Sequence, residues 1–477
     1  MTRRAMILVA ATLGFAVLPP PASAAADVAT RQLAHDIFRE LIEINTTESA
    51  GNVTAAAQAM ARRLRAAGFA DGDMALVGPV ERKKNLVVRL HGTGKARPLL
   101  LLGHLDVVEA DRKDWTTDPF RFIEKDGYFY GRGTQDMKDG DAIMVTTLIR
   151  LKRAGYRPSR DVILALTADE ETGDANGVEW LLKNRRDLVN AEFAVNHDDI
   201  CMHTSGGKPL FIQVDASEKV YADFELTAHN KGGHSSEPAA DNAIYELAGA
   251  LRRLAAYRFP FELNEVTRAY YTRMAATASG ARAADLKVIL AVPPDPAAAE
   301  RLAANPIDNS LTRTTCVATR LTAGQANNAL PQSAKAIVNC RILPGHEPED
   351  VRRELIRVLA EPKLEVRFLG ENGESLATAE SRHGLTPPPL RRDVLDAVEK
   401  AAATLWPGIP VIPWMATGAS DYVYLNLAGI PAYVVSGSAV DLDDHRLHGN
   451  DERLGVEAFY RSLDFFYLFL TALLGSH

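Results

Sequence analysis

PLLLLGHLDVV, residues 98–108, changes within a few positions from an apolar run to a histidine and an aspartate. A second apolar run, VILALTA, ends in the same way at Asp169-Glu170-Glu171, and a third, FAV, stops at Asn196-His197-Asp198-Asp199. Short apolar runs without alternation are typical of strands buried on both faces of a parallel sheet. Ligands of such sheets bind beyond the carboxyl ends of the strands. The three runs therefore predict one shared pocket.

Two further segments carry side chains of the same kind. YGRGTQDMK, residues 130–138, places Asp136 just before a predicted helix, and HRLHGNDE, residues 445–452, contains two histidines. Carboxylates and imidazoles that meet in one pocket repel one another or shift their pKa values unless a cation lies between them. A metal site is the simplest interpretation of the pattern.

The spacing within these segments suits metal-dependent chemistry. His104 and Asp106 lie two positions apart, so one can bind a metal while the other orients the imidazole. Glu170 and Glu171 are neighbours that must point in different directions, which suits one metal ligand and one general base. Asp136 precedes a helix N-terminus, where a carboxylate is favoured, and it could bridge two ions.

Strands and helices alternate in the first part of the chain and again after about residue 391. This pattern predicts an α/β fold whose sheet is mainly parallel, with helices on both faces. Between these parts, residues 218–370 follow a β-α-β-β-α-β order that resembles a ferredoxin-like unit. We therefore expect a catalytic domain from residues 25–217 and 371–477, with an inserted lid at 218–370 that includes a helical stretch at about 260–309.

The first 24 residues resemble a cleavable export signal. Arg3 and Arg4 precede an apolar stretch, and Ala22-Ser23-Ala24 offers a cleavage site. The apolar stretch is short for an N-terminal membrane anchor, which is the alternative. No later segment is long and apolar enough to span a membrane. A periplasmic or secreted protein is expected, and loss of the two signal arginines takes its net charge from -7 to -9.

The net charge of the chain indicates which partners it can bind, and the positions of two cysteines suggest a possible disulfide. An acidic chain with scattered basic residues argues against nucleic acid as a partner. Cys316 and Cys340 lie on either side of a predicted turn at residues 325–328, so a disulfide across a hairpin is one expectation. Two small buried thiols are the alternative.

Five segments together resemble the M20 family of zinc metallopeptidases and amidohydrolases. They are GHLDVV, YGRGTQDMK, ADEE, GGHSSEP and HGNDE, and they extend from about Leu99 to Glu452. The resemblance implies two zinc ions for each subunit, with Co²⁺ or Mn²⁺ as substitutes. It also implies a non-proline cis peptide bond between Asp136 and Met137.

The resemblance further implies a role for each residue of the centre. Asp136 would bridge the two ions, Asp106 would orient a histidine ligand, and Glu170 would be the general base. Asn196-His197-Asp198-Asp199 departs from the commonest form of the family motif, so Asp198 is favoured as a ligand while His197 and Asp199 stay open. His448 is favoured over His445 because HGNDE matches the family motif better. The implied metal ligands are His104, Asp136, Glu171, Asp198 and His448.

Residues of the lid and of one loop are implied to contact the substrate. His234, in GGHSSEP, would stabilise the oxyanion, in many family members by reaching across a homodimer. Asn328 and Arg341 would contact substrate, the latter suiting a free carboxylate, although Asn328 could simply shape a turn and Arg341 could pair with acids of the lid. Gly418 and Asp421, in the segment GASD, match a loop near the substrate. The helical stretch at 260–309 could block or remodel the dimer.

The function expected from these residues is cleavage of an amide bond in a peptide or dipeptide that carries a free C-terminal carboxylate. A carboxypeptidase or dipeptidase is the leading interpretation, because the signal peptide and the lid insertion resemble that branch of the family. An N-acyl-amino-acid amidohydrolase is the alternative. A catalytically silent binding protein on the same fold is the third hypothesis, and the presence of Glu170 and of nearly every ligand disfavours it.

Overall fold

The structure, a computed structural model, describes residues 25–172, 175–370, 373–381, 387–441, 443–444 and 446–475. The expected signal peptide at residues 1–24 and the candidate His445 lie outside the described residues. Within these ranges, none of the helices has both the length and the apolar character needed to cross a membrane.

Helices and strands are numbered separately, each in chain order. The helices are α1 (Val28–Glu43), α2 (Val53–Ala66), α3 (Lys138–Arg153), α4 (Gly177–Asn184), α5 (Arg186–Val189), α6 (Ala243–Ala256), α7 (Glu265–Thr277), α8 (Gly280–Ile289), α9 (Pro296–Leu302), α10 (Pro306–Thr312), α11 (Pro348–Leu359), α12 (Arg392–Leu405), α13 (Tyr422–Leu427) and α14 (Val456–Leu474). The strands are β1 (Met74–Val80), β2 (Lys83–Leu90), β3 (Ala96–His104), β4 (Ile123–Lys125), β5 (Tyr128–Tyr130), β6 (Arg160–Thr167), β7 (Phe193–Asn196), β8 (Met202–Ser205), β9 (Lys208–Glu218), β10 (Val220–His229), β11 (Gly233–His234), β12 (Thr315–Ala323), β13 (Ala329–Leu330), β14 (Ser333–Ile342), β15 (Leu364–Leu369), β16 (Ser375–Leu376), β17 (Val411–Ala416), β18 (Ala432–Val434), β19 (Ala439–Asp441) and β20 (Arg453–Gly455).

The large sheet has a parallel centre. Its order is β1-β2-β6-β3-β7-β18-β9-β8-β19, and β17 also pairs with β9. Strands β6, β3, β7 and β18 run parallel, whereas β1, β2, β8 and β9 add antiparallel pairs towards the edges. The last six residues of β3 are all buried, as an apolar strand covered on both faces should be. The α/β class and the mainly parallel sheet predicted from the sequence are confirmed.

The second sheet is antiparallel, with the order β12-β14-β10-β15-β16. The first four of these strands, with α6 and α11 between them in sequence, have the ferredoxin-like connectivity expected for the lid. Alternate residues of β14 are buried, and Phe224, Leu247 and Leu355 lie in the core that α6 and α11 form with the sheet. Strand β16 lies beyond the expected lid boundary at residue 370. The boundaries themselves stay a prediction.

The helical stretch α7–α10 packs on the large sheet, although its sequence position lies within the expected lid. Val266 and Tyr271 are buried in the same core as the strands of the large sheet. The rings of Tyr270 and Trp414 are 5.2 Å apart, and Arg273 pairs with Glu399 at 2.9 Å. The apolar face of α7 is covered by β17 rather than by the lid sheet. The stretch α7–α10 therefore lies within the expected lid in sequence but packs against the large sheet in space.

Cys316 and Cys340 face each other across β12 and β14 and form a disulfide, with Cα atoms 4.1 Å apart. The structure therefore supports a disulfide across the hairpin rather than two separate buried thiols. Cys201 is a buried free thiol.

Candidate metal centre

His104 is the last residue of β3, at the carboxyl end of the sheet, and only 2% of it is exposed. Its Nδ1 lies 3.1 Å from the backbone oxygen of Asp106 and 3.7 Å from the Asp106 carboxylate. That carboxylate accepts a hydrogen bond of 3.0 Å from the Glu171 backbone N–H. Asp106 therefore holds both the imidazole and the loop that follows β6.

Asp136 lies between two imidazoles. Its Oδ1 is 3.0 Å from His104 Nε2, and its Oδ2 is 2.9 Å from His448 Nε2. Asp136 precedes α3, and its peptide bond to Met137 is cis. A carboxylate that offers one oxygen to each of two nitrogen donors has the arrangement of a bridging ligand.

Each imidazole also lies near a second carboxylate. Asp198 Oδ1 is 3.5 Å from His104 Nε2, and Glu171 Oε1 is 3.2 Å from His448 Nε2. The cluster thus divides into two halves that share Asp136, one with His104 and Asp198 and the other with His448 and Glu171. His104, Asp136 and Glu171 offer ligand atoms that all lie within 4.8 Å of one another.

The side chains next to Asp198 contact other groups than the two imidazoles. Asp199 accepts hydrogen bonds from the backbone N–H of Ile200 at 2.6 Å and from Gln213 Nε2 at 3.0 Å. His197 is buried, with its ring 5.4 Å from that of Phe466. This geometry supports Asp198, of the three residues left open by the sequence, as the candidate ligand.

The carboxylates of the cluster raise the pKa values of both imidazoles. Hydrogen bonds with Asp136 and Glu171 raise the pKa of His448 to about 10. Burial would lower the pKa of His104, but Asp198 and Asp136 outweigh it and the pKa is raised well above its ordinary value. Burial also raises the pKa of Asp198 to about 6. Positive charge is therefore strongly favoured at the centre of the cluster.

The donor set fits divalent metal ions. Imidazole nitrogens and carboxylate oxygens are ligands of Zn²⁺, and Co²⁺ or Mn²⁺ accept the same donors. Glu171 Oε1 is buried, and the neighbour recorded for it is His448 Nε2 at 3.2 Å, so a cation between the two would bind both atoms. Two metal ions sharing Asp136 would satisfy all five side chains.

Glu170 lines a cavity of about 580 Å³ beside the cluster, together with Asp136, Glu171, Asp198 and His448. Burial raises the pKa of Glu170 well above its ordinary value; Asp198, Asp421 and Glu171 add to this, and His104 opposes it. A carboxylate that binds protons more readily than usual is suited to proton transfer near neutral pH.

The buried pair of Arg132 and Glu452 holds the loop that carries Asp136, a role that the sequence pattern did not predict. Arg132 Nη1 lies 2.6 Å from Glu452 Oε2, and the same carboxylate accepts backbone N–H groups of Gly133 and Gln135 at 3.2 and 2.6 Å. Arg132 lies in the segment YGRGTQDMK and Glu452 lies in HGNDE. Their positions in these two segments were the sequence signal for a role at the site.

Lys83 was also missed. Its Nζ lies 2.7 Å from Asp169 Oδ1 and 2.6 Å from Glu48 Oε2. Asp169, directly before Glu170, is buried and has a positive φ of 67°. The ion pair therefore holds the turn that directs Glu170 and Glu171 into the cavity. Lysine in a strand carries no sequence signal for this role.

Two of the four residues assigned to substrate contact lie near the cavity and two do not. Gly418 lines it. Asp421 is buried at an adjoining cavity and accepts a hydrogen bond of 2.5 Å from Asn176 Nδ2. Burial raises the pKa of Asp421 to about 7. The other two residues, Asn328 and Arg341, belong to the lid and do not line the cavity among the described residues.

The lid residues His234 and Arg341 lie in two different parts of the lid. His234 in β11 pairs with Ala329 in β13, next to Asn328, and its exposed ring lies 2.7 Å from Ser236 Oγ. Arg341 stacks over the ring of Tyr221 at 4.7 Å, and its Nε donates to Asn339 at 3.3 Å. Among the described residues Arg341 forms no ion pair with an acid. His234 likewise does not line the cavity in this arrangement of the lid.

The sequence profile of Peptidase family M20/M25/M40 matches residues 100–472, most of the chain. The chain belongs to this family. It is 28% identical over 408 residues to the N-fatty-acyl-amino acid synthase/hydrolase PM20D1 of Bos taurus, covering 78% of this chain and 74% of that protein. The chain is thus a hydrolase of the M20 family.

Two solved M20 structures share the fold. The metallo-carboxypeptidase Sso-CP2 from Sulfolobus solfataricus has a TM-score of 0.67 and 18% identity, over 92% of this chain and 99% of that one. The YXEP protein of Bacillus subtilis, a dinuclear metal binding peptidase, has a TM-score of 0.60 and 14% identity, over 94% and 100%. At these identities the M20 likeness to both structures is one of fold.

Proposed function

We propose that the protein is an exported dinuclear zinc hydrolase that cleaves the amide bond of peptides or dipeptides with a free C-terminal carboxylate. The observation that carries this proposal is Asp136 between His104 and His448, at 3.0 and 2.9 Å, with Glu170 on the wall of the same cavity. The solved metallo-carboxypeptidase of the same fold supports it.

In the proposed reaction His104, Asp136 and Asp198 would hold one zinc ion, and His448, Asp136 and Glu171 would hold the other. Zinc, when bound, lowers the pKa of water to about 7 and polarises the amide carbonyl. Glu170 accepts the proton of the attacking water and returns it to the leaving amine, which a carboxylate of raised pKa can do near neutral pH. Asp106 keeps His104 and the Glu171 loop in place.

The lid supplies the remaining groups in this proposal. His234 donates to the oxyanion, and Arg341 binds the terminal carboxylate through two parallel hydrogen bonds, with Asn328 beside the substrate. Because these side chains do not line the cavity, they must reach it by lid closure or from a second copy of the chain.

The alternative is hydrolysis of N-acyl amino acids, which the same centre would perform. It is favoured by the 28% identity to an enzyme named for N-fatty-acyl-amino acids. A binding protein without activity is disfavoured because Glu170 lines the cavity together with four of the five candidate ligands.

The test is a hydrolysis screen of the purified protein with added zinc. It compares dipeptides, longer peptides with free or blocked C-termini, and N-acyl amino acids. We expect cleavage that requires a free carboxylate and that falls by roughly 10²–10⁴-fold in Glu170→Gln. The control Asp396→Asn, on the exposed side of α12, should keep its activity. Unchanged activity in Glu170→Gln would contradict the proposal.

A further inference from the structure

The cavity beside the metal centre has a second acidic wall that the proposed reaction does not use. Asp199 follows β7, and Asp215 and Glu218 lie on β9, and all three line the cavity. Asp199, which the sequence left open as a ligand, bonds to Ile200 and Gln213 instead, and neither Asp215 nor Glu218 is a candidate ligand of the two metal ions. We define Asp199, Asp215 and Glu218 as the acidic wall.

The wall contains polar atoms that lack partners. Asp215 is 2% exposed, and its Oδ1 has no hydrogen-bond partner. Glu218 accepts hydrogen bonds from Ser420 at 3.1 Å through Oε2, while its buried Oε1 has none. Ser217, which is 1% exposed and also lines the cavity, has an unpartnered Oγ. Buried polar groups are rarely left unsatisfied, so these atoms are available to bond a polar group bound in the cavity.

The charges of the metal centre do not explain the wall. Two divalent ions would be balanced by the carboxylates of Asp136, Asp198 and Glu171 together with Glu170. The three acids of the wall are not needed for this balance, and burial raises the pKa values of Asp215 and Glu218 well above their ordinary values, so a cation beside them favours their ionised form. Apart from His448, no cationic side chain lines this cavity among the described residues. Lys219, the nearest along the chain, instead donates to Thr315 Oγ1 at 3.2 Å.

We infer that the acidic wall binds a positive charge on the acyl part of the substrate, either its α-ammonium group or a basic side chain. The inference rests on the proposed function, because it places the scissile amide at the metal centre. Trp414, Tyr422 and Leu447 line the same cavity and can cover an aliphatic stem. A long neutral acyl chain would leave the buried carboxylates unpaired, so peptides are favoured over N-fatty-acyl amino acids.

Three substrates with the same leaving phenylalanine and a six-carbon acyl chain test this inference. N-hexanoyl-phenylalanine has no cation, norleucyl-phenylalanine has an α-ammonium group, and 6-aminohexanoyl-phenylalanine has a terminal ammonium group. With the zinc-loaded protein, kcat/KM for at least one cationic substrate should exceed that of the hexanoyl compound by roughly tenfold or more.

Neutral isosteres of the wall should remove this preference. Asp215→Asn and Glu218→Gln are each expected to bring the ratio of cationic to hexanoyl kcat/KM close to one, whereas Asp396→Asn should keep the wild-type ratio. Two variants are used so that a folding defect in one leaves the other to decide. Equal or faster cleavage of the hexanoyl compound by the wild type, or an unchanged ratio in a folded variant, would overturn the inference.

The failure of the proposed function would look different. If none of the three compounds is cleaved, the hydrolase proposal fails for this substrate class, and calorimetry then measures their binding to the zinc-loaded protein. The acidic wall predicts a dissociation constant roughly tenfold or more lower for a cationic compound than for the hexanoyl compound. Equal dissociation constants would overturn the inference independently of catalysis.

Discussion

The carboxylate of Glu452 accepts a hydrogen bond of 2.6 Å from the backbone N–H of Gln135, the residue before Asp136. The same carboxylate pairs with Arg132 at 2.6 Å, and both side chains are almost fully buried. The two motifs YGRGTQDMK and HGNDE are therefore joined by an ion pair below the metal centre. This pair links the loop of Asp136 to the chain that follows His448.

Glu452→Gln should destabilise the fold strongly. Removing one partner of a buried ion pair leaves an uncompensated charge, here that of Arg132, and typically costs about 3–5 kcal/mol. Urea unfolding followed by circular dichroism measures the loss. Glu457→Gln is the control, because the exposed pair of Glu457 with Arg461 at 3.2 Å should contribute only about 0–1 kcal/mol. Equal losses in the two variants would contradict this account.

Lys83→Gln should reduce activity while the protein stays folded. The variant loses the ion pair that holds Asp169, so Glu170 and Glu171 are positioned less well. Loss of a group that orients ligands typically lowers metal affinity or activity by roughly 10–100-fold. Zinc affinity and kcat/KM measure the effect. The control Lys84→Gln removes only the pair with exposed Glu81, and a similar defect there would argue against a positioning role for Lys83.

Metal content distinguishes Asp198 from its neighbour. Asp198→Asn should lower the bound zinc from two ions to one for each chain, because it removes a carboxylate 3.5 Å from His104 Nε2. Asp199→Asn should keep two ions, since Asp199 bonds to Ile200 and Gln213 instead. Atomic emission after dialysis gives the count. The reverse result would make Asp199 the ligand.

Lowering the pH should weaken the contact between α11 and the segment at Ala379, which follows strand β16 of the lid sheet. Glu349 bonds to Arg352 at 2.8 Å and to the Ala379 backbone N–H at 2.8 Å, and the Arg352 hydrogen bond is the main cause that lowers its pKa to about 2. A carboxyl whose pKa is lower in the folded state stabilises the fold above its unfolded pKa of 4.5 and loses this effect as pH falls towards 2.

The measurement is the Tm of the wild type and of Glu349→Gln as pH is lowered. The difference between the two should be largest near pH 6 and should shrink towards about pH 3. Asp350→Asn is the matched control, because its exposed carboxylate lies 3.8 Å from Arg353 and should contribute little at any pH. A difference for Glu349→Gln that stays constant with pH would show that the ion pair does not act in this way.

The sequence predicted those parts of the fold where local pattern and burial agree. The apolar runs PLLLL and VILALTA form strands at the centre of the sheet, as predicted. Strands β9 and β17 were not predicted, because their polar and apolar residues reflect the pairing of two segments far apart in the chain rather than a local period.

Of the candidate site, likewise, one part could be predicted from the sequence and another part could not. His104, Glu171 and Asp198 end or follow the parallel strands β3, β6 and β7, and the segments of Asp136, before α3, and His448, before β20, meet them there. The partners of Arg132 and Lys83 could not be read from the chain, since their ion pairs join segments far apart in sequence. The packing of α7 on β17 was hidden for a similar reason, because an amphipathic helix does not indicate which surface covers it.

Anomalous diffraction at the zinc edge, from crystals grown with excess zinc, tests the central claim most directly. We predict two peaks in each chain, one beside His104 and Asp198 and one beside His448 and Glu171, with Asp136 bound to both. A single peak elsewhere, or two peaks that do not share Asp136, would contradict the dinuclear centre on which the proposed hydrolysis depends.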